Sequence, residues 1–205
     1  MSLATYLSKR VFTETPEPVG RVRRSDRRRI FVVQKHDASR LHYDFRLAVS
    51  GVLASWAVPK GPSMNPADKR LAVRTEDHPL EYAKFEGVIP PGQYGAGTVM
   101  VWDFGMYESS EDRPPEEQLA SGKIHVVLQG EKLYGAFTLI KLERQSNNSS
   151  RRDYWLLIKS RDEYADPSWD NGSYSCRSVE SHRPMRLFGS MVWRLSAAKC
   201  QAARP

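Results

Sequence analysis

His42-Tyr43-Asp44-Phe45-Arg46-Leu47 alternates polar and apolar side chains without a break, and this constrains the fold more than any other stretch of the chain. A side-chain period of two belongs to a β-strand, so His42, Asp44 and Arg46 share one face while Tyr43, Phe45 and Leu47 share the other. The whole of Phe31 to Leu47, FVVQKHDASRLHYDFRL, reads as strand interrupted by the short turn Asp37-Ala38-Ser39-Arg40. Similar signals follow. Val49-Ser50-Gly51-Val52 reads as a hairpin-type turn, Leu53 to Val58 as the returning strand, and Leu71 to Arg74 as another. Beyond Thr98 come Val99 to Phe104, Gly105 to Glu108, Ile124 to Leu128, Gly135 to Ile140 and Tyr154 to Ile158. Residues 114–122 read as a short helix, with proline at its start, acids in its first turn and glycine at its end. Ala4 to Phe12 reads as a short helix or turn. Many short strands with few helices predict a mainly β chain, a compact antiparallel β-barrel with one or two short flanking helices, and a site at its mouth or in its groove. The expected organisation is a basic, partly flexible N-terminal segment over 1–30 that contributes to the site, a barrel domain over 31–165, and a tail or linker over 166–205.

The polar face of the alternating stretch carries the candidate chemistry. A histidine and a carboxylate two residues apart on a strand aim at one point, and His36, reaching back across the turn, supplies a third group. Two nitrogens and one oxygen with open positions suit a catalytic divalent ion such as manganese, iron or zinc. An ordinary surface pair of His42 with Asp44 fits the same spacing. Arg46 adds a fork for phosphate or carboxylate. Residues 85–97 are rich in glycine and proline, but Gly95-x-Gly97 lacks the third glycine of a dinucleotide fingerprint and the lysine of a P-loop. It also precedes a strand rather than a helix, so no nucleotide cofactor is expected, and a sharp turn at a barrel rim is the better reading.

At 205 residues the chain suits one well-buried core. No apolar run approaches the roughly twenty residues that cross a bilayer. Only two cysteines occur, Cys176 and Cys200, and MSLATYLSKRVF lacks a long apolar signal core, so a reducing cytoplasm is the expected compartment. The net charge of +7 favours a polyanionic partner, nucleic acid first. Arg21, Arg23, Arg24, Arg27, Arg28 and Arg29 crowd just ahead of the key strand, as a solvated segment or as a grip on a phosphate backbone. Residues 145–152, QSNNSSRR, read as a mobile polar loop.

Four stretches, QKHDASRLHYDFRL, SWAVPKGPS, EDHPLEYAKFEGVIPPGQYGAGTVMVWDFGMYE and YWLLIKSRDEYA, resemble the phosphoesterase domain of bacterial DNA ligase D, which also occurs as a free-standing protein. The resemblance runs from about Tyr6 to Ala165. It implies a DNA 3′-end-healing enzyme that removes a terminal ribonucleoside and then the remaining 3′-phosphate, with manganese as the favoured ion on His36, His42 and Asp44. It also implies that Arg46, His78 and Tyr82 face the scissile phosphate, that Glu76 supports the site, and that Lys60 and Arg70 lie near the phosphate. Arg10 and Glu17 match family site positions, whereas Val11 stands where an aspartate is usual. DNA or RNA-tailed DNA 3′ ends at primer-template junctions are the implied partners, alongside an end-joining ligase, polymerase or Ku protein. Val11 motivates a second reading, a catalytically weakened nucleic-acid end-binding module of the same fold. Two histidines and a carboxylate also describe a non-haem iron site, a third reading that oxygen consumption would separate from hydrolysis.

Overall fold

The computed structural model describes residues 1–23, 28–143, 153–171 and 177–188. Among these described residues nine strands form one antiparallel sheet: β1 (Ile30–Asp37), β2 (Leu41–Val49), β3 (Val52–Val58), β4 (Lys69–Arg74), β5 (Gly87–Ile89), β6 (Gly97–Ser109), β7 (Lys123–Gly130), β8 (Tyr134–Lys141) and β9 (Tyr154–Lys159). The strand order is β1-β2-β3-β4-β9-β8-β7-β6-β5, and a further β1–β6 pairing closes eight of them into a barrel, leaving β5 attached to β6. Closure leaves few bare edges to manage. Two short helices flank it, α1 (Ala4–Ser8) and α2 (Pro115–Ser121).

Local chemistry explains the turns. Val49 pairs with Val52, so the β2–β3 hairpin has a two-residue loop, Ser50 and Gly51, both at positive φ (49° and 80°). That is the geometry that matches strand twist. Pro115 opens α2, Glu116 and Glu117 sit in its first turn, and Gly122 at φ 80° closes it. The stretches read separately as residues 99–104 and 105–108 form the single thirteen-residue β6. Its register against β1 shifts between Val33 and Gln34, and Trp102, which the ladder skips, is buried in the barrel. A bulge of this kind bends a long strand without ending it.

The alternation expected for β2 places Tyr43, Phe45 and Leu47 inside the barrel with Phe31, Val33, Trp56 and Trp102. Each such side chain contributes about 1.5–3 kcal/mol through burial. The opposite face of β1, β2, β3 and β6 is covered as well. Val32, Leu53, Val99 and Val101 pack there against Tyr6 from α1 and against Leu80, Tyr82 and Ala83 from a 3₁₀ turn, Leu80–Lys84. The barrel wall therefore has a second layer outside it, built from the N-terminal segment and residues 75–96. This layer positions the site: Gln34 and Arg46 lie on the outward face of the wall, beneath it, rather than at the barrel mouth.

Candidate active site

His36 and His42 are direct partners across the β1–β2 ladder, and Asp44 lies two residues along the same face of β2. One ligand atom from each falls within 4.8 Å of the others. His36 Nδ1 is 3.6 Å from Asp44 Oδ2, and His42 Nε2 is 3.8 Å from Asp44 Oδ1. The far nitrogen of each ring meets a backbone carbonyl: His36 Nε2 at 2.9 Å from the Gly95 oxygen, His42 Nδ1 at 2.9 Å from the Arg40 oxygen. A carbonyl only accepts, so each ring in its neutral form would carry its proton on the outer nitrogen and leave the nitrogen nearer Asp44 free to ligate. Backbone carbonyls that orient imidazoles in this way are the usual support of a metal-ligating histidine pair. The donor set fits a divalent metal with open positions. Burial works to raise the Asp44 pKa, but Arg46 foremost, then His36 and His42, hold it well below the usual carboxylate range.

Beside this corner lies a buried network of charges. Arg46 Nε donates to Gln34 Oε1 (2.8 Å), Nη1 to Ser55 Oγ (2.8 Å) and Nη2 to Asp44 Oδ2 (3.0 Å). Gln34 is itself fixed, since its amide donates to the carbonyls of Tyr82 and Phe85 at 3.0 and 2.9 Å. His78 sits between two guanidiniums, with Nδ1 2.8 Å from Arg46 Nη1 and Nε2 3.3 Å from Arg10 Nη2. Burial first, then Arg46 and Arg10, push its pKa well below the ordinary value, so the ring is neutral. Arg10 lies over the Tyr6 ring at 3.9 Å and donates to Glu17 Oε1 (2.8 Å) and Glu76 Oε1 (3.3 Å). The Tyr82 hydroxyl donates to Glu17 Oε1 at 2.9 Å, and burial with Glu17 raises its pKa well above the ordinary value. Burial also works against an ionised Glu76, but its own backbone N–H, Lys9 and Arg10 outweigh that and lower its pKa. Lys9 closes the set by donating to Glu76 Oε2 at 3.0 Å.

Nine of the residues singled out from sequence, Arg10, Glu17, His36, His42, Asp44, Arg46, Glu76, His78 and Tyr82, thus join one continuous cluster. The pre-proline His78 is extended, as expected, yet only 4% exposed. No hydrogen bond or ion pair joins Lys60 or Arg70 to the cluster among the described residues. Arg70 pairs with Asp68 at 2.7 Å, and Lys60 is exposed on the loop after β3. Val11 is 50% exposed. In the arginine run, Arg23 pairs with Glu81 at 2.6 Å, Arg21, Arg28 and Arg29 are exposed, and Arg24 and Arg27 lie outside the described residues, as do 145–152, Cys176 and Cys200. Sequence reasoning passed over Gln34, Ser55, Lys9 and Tyr94. Gln34 was within reach, because it shares the His36 face of β1 by the period of two. The Gly95 carbonyl was not, because a main-chain acceptor leaves no mark in a side-chain pattern.

Residues 34–141 match the family described as the DNA ligase D 3′-phosphoesterase domain. The chain is 53% identical over 162 residues to the multifunctional non-homologous end joining protein LigD of Pseudomonas aeruginosa, covering 78% of this chain and 19% of that protein. It is 44% identical over 166 residues to the LigD protein of Mycolicibacterium smegmatis, covering 78% of this chain and 21% of that one. The multifunctional non-homologous end joining DNA repair protein LigD of Mycobacterium tuberculosis is 44% identical over 162 residues, with 78% and 20% covered. The chain spans about a fifth of the length of these relatives.

Proposed function

The chain belongs to the family of DNA ligase D 3′-phosphoesterase domains, and we propose that it is a metal-dependent phosphoesterase that heals nucleic-acid 3′ ends during non-homologous end joining. The observation that carries this reading is the pair of carbonyl-oriented histidines converging on Asp44 beside a buried Arg46. Charge supports it too. Lys9, Arg10 and Arg46 are set against Glu17, Asp44 and Glu76, so these six cancel before any ion is bound. A divalent ion leaves the cluster with two positive charges, which match a phosphate monoester dianion and attract a diester.

The reaction we assign is removal of a 3′-terminal ribonucleoside followed by removal of the remaining 3′-phosphate, with manganese as the preferred ion on His36, His42 and Asp44. When bound, the ion supplies Lewis-acid polarisation of a phosphoryl oxygen and a lowered pKa for a bound water or hydroxyl. Arg46, held on three sides by Gln34, Ser55 and Asp44, donates to the phosphoryl oxygens and stabilises the charge that develops on them. His78 acts as a neutral hydrogen-bonding ring and Tyr82 as a hydroxyl donor, since neither gains or loses its proton near neutral pH. Glu17 and Glu76 hold Arg10 and Tyr82 in place, and Arg10 neutralises the approaching strand. Lys60 and Arg70 contact the phosphodiester chain outside the cluster. We read 31–165 as the catalytic barrel domain, 1–30 as its contributing arm and 166–205 as a tail. The partners are DNA or RNA-tailed DNA 3′ ends, with ligase, polymerase or Ku proteins of the same pathway and a cytoplasmic setting.

Val11, hydrophobic and half-exposed beside Arg10, favours one competing reading, a module that binds ends with little turnover. Digestion of a primer-template ending in one 3′-ribonucleotide, beside the same duplex ending in a 3′-phosphate, decides between them. Manganese-dependent formation of the 3′-phosphate and then the 3′-hydroxyl is expected. Tight binding of both ends without cleavage would establish the competing reading.

A further inference from the structure

Tyr94 stands out among the tyrosines of the site. Tyr6 and Tyr82 are 0% and 2% exposed, whereas Tyr94 is 48% exposed. Its position is nevertheless fixed from several sides. The next residue, Gly95, gives its carbonyl to His36 at 2.9 Å. Two residues further on, Gly97 sits so close to the β1–β2 turn that a Cβ there would meet the Asp37 carbonyl at 2.4 Å. On its other side, the Gln93 amide donates to Glu14 Oε2 at 2.6 Å, which ties the loop to the N-terminal segment. The ring itself is held by Lys9, whose ammonium lies 4.2 Å from the centroid and donates to the Tyr94 hydroxyl at 2.9 Å. The same Lys9 bonds Glu76. The loop therefore spans from the metal corner to the Arg10–Glu76–His78 side, and at its middle it presents an aromatic ring that is anchored without being buried. Among the described residues no other aromatic ring lies against Tyr94.

An open aromatic surface beside cations is how proteins hold unpaired bases: each base has a π-face, and stacking contributes about 1–3 kcal/mol per base. We infer that Tyr94 is a stacking subsite for the base of the terminal nucleoside, the part of the substrate beyond the phosphate that the site engages. The inference rests on the phosphoesterase reading above and deepens it. It assigns a specificity role: the ring contacts an end that still carries its nucleoside and has nothing to stack on once only the 3′-phosphate remains. Lys9 acts here as a positioning residue through the ring.

The test uses a duplex whose 3′-terminal nucleoside is 2-aminopurine riboside, mixed with the full chain in EDTA so that nothing is cut. Stacking on Tyr94 is expected to quench the fluorophore. Tyr94→Phe keeps the ring and loses the hydroxyl that bonds Lys9, so it retains most of the quench. Tyr94→Ala loses it and weakens binding of this end about ten- to a hundredfold, the range that stacking supplies. With metal restored, the ratio of kcat/KM on the nucleoside-bearing end to kcat/KM on the 3′-phosphate end falls by a similar factor in Tyr94→Ala. Full quenching in Tyr94→Ala, or no quenching in the wild type, overturns the inference. So does a Phe variant that behaves like the Ala variant, because Tyr94 would then serve only to anchor Lys9. A wild type that shows Tyr94-dependent quenching yet cuts neither end would sink the reaction while leaving the subsite standing. A wild type that cuts both ends, with Tyr94→Ala unaltered in every readout, would do the reverse.

Discussion

Replacing Gln34 by leucine isolates what holds Arg46 in place. Gln34 is 0% exposed, accepts from Arg46 Nε at 2.8 Å and donates to the carbonyls of Tyr82 and Phe85 at 3.0 and 2.9 Å. Leucine keeps the approximate volume and removes all three bonds. The bond from a charged donor is worth about 1.5–3 kcal/mol, and a buried carbonyl left without a partner costs about 1–3 kcal/mol. Only the Phe85 carbonyl is counted as orphaned, because the Tyr82 carbonyl still accepts from the Phe85 N–H at 3.0 Å. The added apolar surface returns about 1 kcal/mol. The net expectation is a loss of about 1.5–5 kcal/mol, which at an m-value of about 2 kcal/mol/M lowers the urea midpoint by about 0.8–2.5 M. Function suffers separately. Arg46 keeps Ser55 and Asp44 but loses the acceptor that sets the plane of its guanidinium, so kcat/KM on a 3′-phosphate end should fall at least about tenfold, mostly in kcat. Urea unfolding followed by tryptophan fluorescence, with initial rates on the same preparation, measures both. A variant within about 0.5 kcal/mol of wild type, at wild-type rate, would refute the claim that Gln34 organises the site.

Two further outcomes follow from the buried ionisable groups. His78 should stay neutral as pH falls through the ordinary histidine value of about 6.5 in a ring-nitrogen NMR titration, since burial, Arg46 and Arg10 all oppose its protonation. Arg10→Met should move its titration upward, whereas a wild-type midpoint near 6.5 would contradict the network. Because the folded pKa is depressed and the unfolded chain takes up this proton near pH 6.5, the stability linked to His78 is present above that pH and declines as pH falls below it. Asp103 accepts from the backbone N–H groups of Phe104, Glu131, Lys132 and Leu133, so Asp103→Ala should cost about 3–4 kcal/mol in urea unfolding by freeing the β7–β8 turn. Burial raises the Asp103 pKa to about 6, so its linked stability, about 3 kcal/mol, is complete below about pH 4 and is lost as pH rises through about 6. Asp103→Asn should lack that decline, and a variant with the wild-type pH profile would rule the assignment out.

The sequence disclosed the parts of this site that lie on one regular strand pair. HYDFRL sets His42, Asp44 and Arg46 on one face because a strand has a period of two, and the tight turn after Asp37 brings His36 opposite His42. The succession of short strands foretold the barrel. It did not foretell β6 as one strand, because Gly105 resembles a break, whereas it sits where β6 passes from β1 to β7 and a Cβ would strike the Gln129 carbonyl at 2.0 Å. Nor did the pattern reveal the outer layer. Tyr6, Leu80 and Tyr82 meet the barrel wall only through contacts between distant parts of the chain, so Asp44 and Arg46 on the polar face of β2, which alternation alone would leave in water, are buried, and His42 at its end is partly so. Arg10, Glu17, Glu76, His78 and Tyr82 were found through family resemblance. Gln34 and Ser55 are ordinary strand residues until Arg46 is seen between them.

The central claim is that His36, His42 and Asp44 hold the ion on which cleavage depends. A manganese titration followed by electron paramagnetic resonance, with cleavage of a 3′-phosphate primer-template measured on the same samples, tests it most directly. Wild type should bind manganese in a high-affinity step with activity rising in proportion. His42→Ala should lose both that step and cleavage while binding the duplex within a few-fold of wild type. A His42→Ala protein that takes up manganese and cleaves as wild type does would contradict the account.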